Sequence, residues 1–174
     1  MKKIALFMIC SLLSSAAWAG VDTEVLGVFD EWSAFADKDE DGPVCYMATE
    51  PTKSQGKYTR RDHVFLIVTH RPGIKSFDVV NVSAGYTYQK NTNKKLAIPS
   101  ITIDNNKPVV LKAVEDKAWA LDTATDEKLV TSMKKGTRAV VKGKSARGTM
   151  TTDTFSLKGF AKAYQAINNA CGRE

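Results

Sequence analysis

The sequence predicts a mainly β protein, built as a sandwich or barrel and carrying two helices. Three observations support this fold class. Short runs of β-type residues recur along the chain, turn-forming residues separate them, and helical periodicity is confined to two segments. Turns are predicted at residues 71–73, 91–93 and 104–106. The predicted strands lie at residues 25–35, 44–48, 63–69, 77–84, 96–103, 109–114, 118–121, 137–142 and 149–155.

The two predicted helices differ in length and in apolar pattern. The first is short and covers residues 126–135, with Thr125 as its expected N-cap and acidic residues in its first turn. The second follows Ser156 and runs towards the C-terminus. The apolar stripe places Cys171 on its buried face. Its members recur at three- and four-residue steps: Leu157, Phe160, Ala161, Tyr164, Ile167 and Cys171.

Residues 1–19 are predicted to form a cleavable signal peptide. Lys2 and Lys3 supply the positive start, residues 4–13 are apolar, and Ala-Trp-Ala at 17–19 has the small-x-small pattern that signal peptidase accepts. A membrane anchor is the alternative, but it needs about 18 or more apolar residues, and serines interrupt this segment. Cleavage leaves a single domain, residues 20–174, that is periplasmic or secreted and has no transmembrane segment.

The cysteines are consistent with export to an oxidising compartment. Cys10 leaves with the signal peptide, so the mature chain keeps only Cys45 and Cys171. In an exported protein such a pair predicts a disulfide, which here ties the C-terminal helix to the sheet that carries Cys45. Two buried free thiols are the alternative.

Several segments resemble one family of bacterial proteins. Trp32, the segments 45–47 and 84–86, the run 142–149 and above all the stretch 151–160 are similar to the invasion-associated locus B family. This resemblance implies an exported, immunoglobulin-like β-sandwich from a Gram-negative bacterium. It also implies a connection with host-cell invasion and no established enzymatic activity. The chain departs from the family pattern after Trp32, where many members carry a further cysteine, so no second disulfide is expected.

Catalytic motifs do not occur in the sequence, and we expect neither enzymatic activity nor a cofactor. His63 and His70 lack metal-ligand spacing, and His70 precedes a Pro-Gly turn, where we expect it to face water. No Gly-x-Ser-x-Gly nucleophile motif is present. A hydrolase-like enzyme, whose site forms only in three dimensions, is the alternative.

Residues 37–42 resemble the first half of a calcium-binding loop, with alternating carboxylates before a glycine. The position that requires a bidentate glutamate holds Ala48, and the flanking residues have strand character. We therefore expect a solvated acidic hairpin tip and no metal site. A calcium-dependent adhesion module is the alternative.

The aromatic residues are expected to pack mainly inside the protein. Tyr86 and Tyr88 share one face of an alternating segment, which favours core or cross-strand packing over sugar stacking or partner binding. Trp32 and Trp119 each lie in an apolar run and are assigned to the core.

The best functional indication is a basic segment, residues 134–147, that contains no acidic residue. Alternation along the predicted strand places Arg138, Lys142 and Lys144 opposite the apolar side chains, and Arg147 follows. These four cations form a candidate anion-binding patch, and a plain solvated face is the alternative. The expected partner is an unknown protein or an anionic envelope component. Loss of Lys2 and Lys3 with the signal peptide lowers the net charge from +6 to +4, which is too small to indicate nucleic acid.

Overall fold

A computed structural model describes residues 23–90 and 99–173 of the chain. The predicted signal peptide, the predicted turn at 91–93 and the first residues of the predicted strand 96–103 lie outside this part. Among the described residues, no helix is both long enough and apolar enough to span a bilayer.

Twelve strands and two α-helices make up the described fold. The helices are α1 (Thr123–Lys135) and α2 (Phe160–Ala170), and a 3-10 turn covers Pro72–Ile74. The strands are β1 (Glu24–Phe29), β2 (Trp32–Asp39), β3 (Gly42–Thr49), β4 (Lys53–Gly56), β5 (Phe65–Arg71), β6 (Ser76–Ser83), β7 (Ser100–Ile103), β8 (Val109–Val110), β9 (Lys112–Val114), β10 (Lys117–Trp119), β11 (Arg138–Lys144) and β12 (Met150–Ser156).

The strands form two antiparallel sheets. The first sheet has seven strands in the order β1-β2-β3-β5-β6-β10-β9, and the second has five in the order β4-β12-β11-β7-β8. Neighbouring strands pair mostly through hairpins, as in β2 with β3 and β11 with β12. This mainly β, two-sheet sandwich with a short internal helix and a C-terminal helix confirms the predicted fold class.

The core lies between the two sheets and under the helices. Trp32 and Phe160 are buried and meet edge to face, with ring centroids 4.9 Å apart. The Trp32 indole Nε1 donates a hydrogen bond to the Ser156 carbonyl, 3.0 Å away, which satisfies its polar group inside the core. Trp32 therefore occupies the core as predicted. Trp119 is only half-buried, so its assignment to the core is wrong.

The first helix begins earlier than the sequence analysis placed it. Its N-cap is Asp122, whose carboxylate accepts a hydrogen bond from the Thr125 amide at 2.8 Å. The prediction of Thr125 as the cap is wrong because Asp122 is also a favoured capping residue and adds almost one turn. The second helix begins at Phe160 and contacts β1, β2 and β3.

Three strand predictions also change. The run 109–114 is divided at Leu111 into β8, in the second sheet, and β9, in the first. The run 25–35 is not one strand but the hairpin of β1 and β2, which turns at Asp30 and Glu31. Asp30 has a φ of 53°, a left-handed conformation that aspartate tolerates and that reverses the chain here. Strand β4 was missed because its four residues are exposed and polar, and so carry no hydrophobic alternation.

A disulfide joins Cys45 in β3 to Cys171 at the end of α2, with their Cα atoms 5.9 Å apart. The bond spans 126 residues and holds the C-terminal helix on the first sheet. Both cysteines are buried, and for Cys171 this confirms the position that the apolar stripe of the second helix predicted.

Candidate functional site: a basic cleft between the sheets

Strand β11 presents its cations on the outer side of the second sheet. Arg138 and Lys142 are exposed and Lys144 is half-buried, whereas Ala139 and Val141 between them are buried. Alternation along a pleated strand sends successive side chains to opposite faces, so the three cations share the face away from the core.

Arg147 lies apart from that row, in the tight turn between β11 and β12. The turn is held by the Ser145 side chain, which accepts a hydrogen bond from the Thr149 amide at 3.1 Å. The Ser145 carbonyl accepts another from the Gly148 amide at 2.8 Å. Arg147 is exposed on this turn and lines a cleft.

This feature, called here the basic cleft, has a volume of about 560 Å³. Its walls come from three separate parts of the chain: residues 57–62, residues 85–87, and the turn region that contains Ser145, Arg147, Thr149 and Thr151. Loops grouped at one end of a sandwich are a common place for binding sites because the sheets hold them rigidly.

Backbone hydrogen bonds connect the three walls. The Asp62 amide donates to the Gly85 carbonyl at 3.1 Å, and the Ala146 amide donates to the Thr87 carbonyl at 2.8 Å. A side chain at Gly85 would collide with the Asp62 carbonyl, so glycine allows this close approach. The cleft is therefore formed before any ligand binds.

Arg61, which lines the basic cleft, belongs to a buried ion pair. Two nitrogens of the Arg61 guanidinium each donate to a carboxylate oxygen of Asp153 at 2.7 Å, and Arg61 Nε donates to the Ala84 carbonyl at 2.6 Å. The two side chains are only 5% and 2% exposed. Because Asp153 lies in the second sheet and Ala84 follows β6 of the first, Arg61 bridges the two sheets.

Two tyrosines enclose this guanidinium. The Arg61 Cζ atom lies 5.5 Å from the ring centroid of Tyr58 and 4.9 Å from that of Tyr86, within cation–π range. The Tyr86 hydroxyl is hydrogen-bonded to the Thr151 hydroxyl at 2.7 Å, and burial raises the pKa of Tyr86. Tyr88 is buried against Tyr86, with centroids 5.3 Å apart, so its predicted packing role is confirmed.

The charges left at the rim are mainly positive. Arg61 and Asp153 neutralise each other, whereas Lys57, Arg60 and Arg147 are exposed and form no ion pair with the described residues. Asp62 is the carboxylate that opposes them at the rim. An anion entering the basic cleft would meet these three cations, two of which are guanidiniums suited to bidentate contact with phosphate or carboxylate.

A second polar cluster is buried beneath α2 and contains His70. The expectation that His70 faces water is wrong, because its side chain is fully buried. Its Nδ1 accepts the Asp78 amide at 3.0 Å, so Nε2 carries the proton and donates to Asn168 Oδ1 at 2.9 Å. Burial lowers the pKa of His70 and favours this neutral form. Asp78 in turn accepts the Tyr164 hydroxyl at 2.6 Å.

The other polar sites named from the sequence lie at the surface. Residues 37–42 form the hairpin tip between β2 and β3, and Asp39 contacts Arg71 at 3.3 Å. His63 is exposed, and its Nδ1 lies 3.2 Å from Glu50. Within residues 23–90 and 99–173, no group of three histidine, cysteine or acidic side chains is arranged to hold a metal ion.

The family model for Invasion associated locus B (IalB) protein matches residues 32–168. The chain belongs to the invasion associated locus B family. The matched part of this IalB protein includes all three walls of the basic cleft and the Arg61–Asp153 pair. No curated protein and no solved structure matches the chain.

Only the wall that holds Arg147 was predicted from the sequence as a binding surface. Tyr86, in the wall at residues 85–87, was assigned to packing. Arg147 was a candidate, but Lys57 and Arg60 were not, because the segment 57–62 has no regular alternation. The local signal was a tyrosine inside a short basic run at residues 57–61. Its meaning depended on contacts with residues more than 80 positions away in the sequence, as in the Arg61–Asp153 pair.

Proposed function

We propose that this IalB protein is an exported, non-enzymatic binding protein that holds an anionic component of the cell envelope. In that role it contributes to envelope maintenance or to interaction with a host. The proposal depends mainly on one observation: Lys57, Arg60 and Arg147 line the same cleft, whose walls are joined by hydrogen bonds. None of the three forms an ion pair with the described residues. Positive charge concentrated in a concave site attracts and retains anions.

One further feature supports this proposal. Disulfides persist in oxidising compartments, so the Cys45–Cys171 bond supports a periplasmic or secreted location.

The strand cations Arg138, Lys142 and Lys144 extend the positive surface along the second sheet. Since they are not in the cleft, they act at longer range, by attracting an anionic surface. The interaction is expected to weaken from about 0.1 M to about 1 M salt, because the screening length falls from about 10 Å to about 3 Å.

The test is retention of the mature protein on vesicles of equal parts phosphatidylglycerol and phosphatidylcholine. A cleft variant replaces Lys57, Arg60 and Arg147 with Gln. Near an anionic surface each cation contributes about 1 kcal/mol, so three together should cost about 3 kcal/mol, or about 100-fold in affinity.

A charge-matched control replaces three exposed lysines that lie on other elements and do not line the cleft, Lys75, Lys128 and Lys162, with Gln. The affinity of this control for the vesicles should fall by less than about fivefold, because the substitutions remove only screened, long-range attraction. A strand variant, with Gln at Arg138, Lys142 and Lys144, should fall between the two. If the folded cleft variant binds as well as the control, the cleft is not the binding site and the proposal is wrong.

A further inference from the structure

The lining of the basic cleft is rich in hydroxyl groups that have no side-chain partner among the described residues. Thr59, Thr87 and Thr149 all line it, and their hydroxyls make no side-chain hydrogen bond with the described residues. Each hydroxyl can both donate and accept. Such a lining complements a ligand that itself carries several hydroxyl groups.

An aromatic surface stands beside these hydroxyls. Tyr58 is 38% exposed and lines the cleft, and its ring rests directly over Gly56. A Cβ atom at Gly56 would lie 2.8 Å from the Tyr58 ring, so glycine is what permits this position. The ring offers a fixed apolar surface against which the C–H groups of a sugar can pack.

The same geometry disfavours a nucleobase. Bases bind well when they stack between or upon open aromatic rings, but Arg61 already fills the space between Tyr58 and Tyr86. The guanidinium cannot leave that space easily, because all its nitrogens are bonded to Asp153 or Ala84. Only the exposed part of the Tyr58 ring is then available for packing, and the threonine hydroxyls beside it favour a hydroxylated ring over a base.

We propose that the basic cleft binds one anionic sugar unit, a hexose-type ring bearing phosphate or carboxylate. This inference rests on the proposed function and specifies its ligand. The sugar ring packs on Tyr58 and hydrogen-bonds the threonine hydroxyls, while its anionic group contacts Arg60 and Arg147 at the rim. The volume of about 560 Å³ lies within the range of small-ligand sites.

Calorimetric titration of the mature protein tests this inference with five probes. They are glucose 6-phosphate, glucuronate, glucose, inorganic phosphate and adenosine monophosphate. At least one anionic sugar should bind about tenfold more tightly than glucose or inorganic phosphate, because only a charged sugar satisfies the cations and the hydroxyls together. It should bind no less tightly than adenosine monophosphate, whose base finds no open pair of rings. Which of the two anionic sugars binds more tightly identifies the anionic group.

If inorganic phosphate binds as tightly as the anionic sugar, the cleft recognises charge alone. If adenosine monophosphate binds more tightly than the anionic sugar, the cleft recognises a base. Either result, or no binding of any probe, overturns the sugar inference. None of them affects the vesicle experiment, whose cleft variant tests the proposed function separately.

Variants at Tyr58 and Arg147 locate the site. Tyr58→Ala should weaken binding of the anionic sugar about tenfold, whereas Tyr58→Phe, which keeps the ring, should stay within about twofold. Arg147→Gln should also lose about tenfold, and Arg138→Gln on the strand face is its matched control. Unchanged binding in both Tyr58→Ala and Arg147→Gln would overturn the assignment to this cleft.

Discussion

Replacing Arg61 with Met removes the charge that compensates Asp153 inside the protein. The Met side chain retains an apolar stem between the tyrosine rings but leaves a carboxylate that is 2% exposed without its partner. Breaking one side of a buried ion pair costs about 3–5 kcal/mol, and the Ala84 carbonyl also loses its Arg61 donor. We therefore expect Arg61→Met to lower the free energy of unfolding by about 4 kcal/mol.

Urea denaturation followed by circular dichroism measures this loss. With a denaturant slope of about 2 kcal/mol/M for a domain of this size, the unfolding midpoint should fall by about 2 M. Arg60→Met is the matched control, because the neighbouring Arg60 is exposed and makes no ion pair with the described residues. Its effect should stay within about 0.5 kcal/mol.

A double variant, Arg61→Met with Asp153→Leu, separates the charge from the packing. Because it leaves no uncompensated charge, it should be more stable than Arg61→Met alone by about 2 kcal/mol. If Arg61→Met does not fold, recovery of folding in the double variant supports the same reasoning. A midpoint for Arg61→Met equal to that of Arg60→Met, or a double variant that is no more stable than Arg61→Met, would refute it.

Two other predictions concern stability. Changing Cys45 and Cys171 to Ser should lower the free energy of unfolding by about 4–5 kcal/mol, the value that the chain-entropy model gives for this loop. Urea denaturation measures the loss, and a loss below about 1 kcal/mol would contradict the prediction. Burial raises the pKa of Asp126 from 3.8 to about 6, although the Val80 amide, 2.8 Å away, opposes the shift. Protonation of Asp126 therefore stabilises the fold below about pH 4, and this stabilisation is lost as the pH rises through about 6. Relative to the parent, the free energy of unfolding of Asp126→Asn should rise by about 1–2 kcal/mol as the pH increases from 4 to 8, a figure discounted for partial access of water. Equal pH profiles for the two proteins would contradict this.

The sequence alone determined the features that depend on local periodicity or on composition. Alternation along residues 138–144 correctly separated the outward cations from Ala139 and Val141, because a strand has only two faces. The apolar stripe of the second helix placed Cys171 on the buried side, and the pair with Cys45 followed from the number of cysteines. Neither conclusion required knowledge of which strands are neighbours.

Only the tertiary structure decided which distant segments meet. Its position next to a turn predicted that His70 lies at the surface, but α2 covers it. This helix brings Asn168, which is 98 residues away in the sequence, to the His70 ring. The basic cleft likewise forms because Arg61 reaches Asp153 across the two sheets. Such contacts arise from the packing of complete sheets and helices, which local propensity does not encode, so the position of the cleft was decided by the fold.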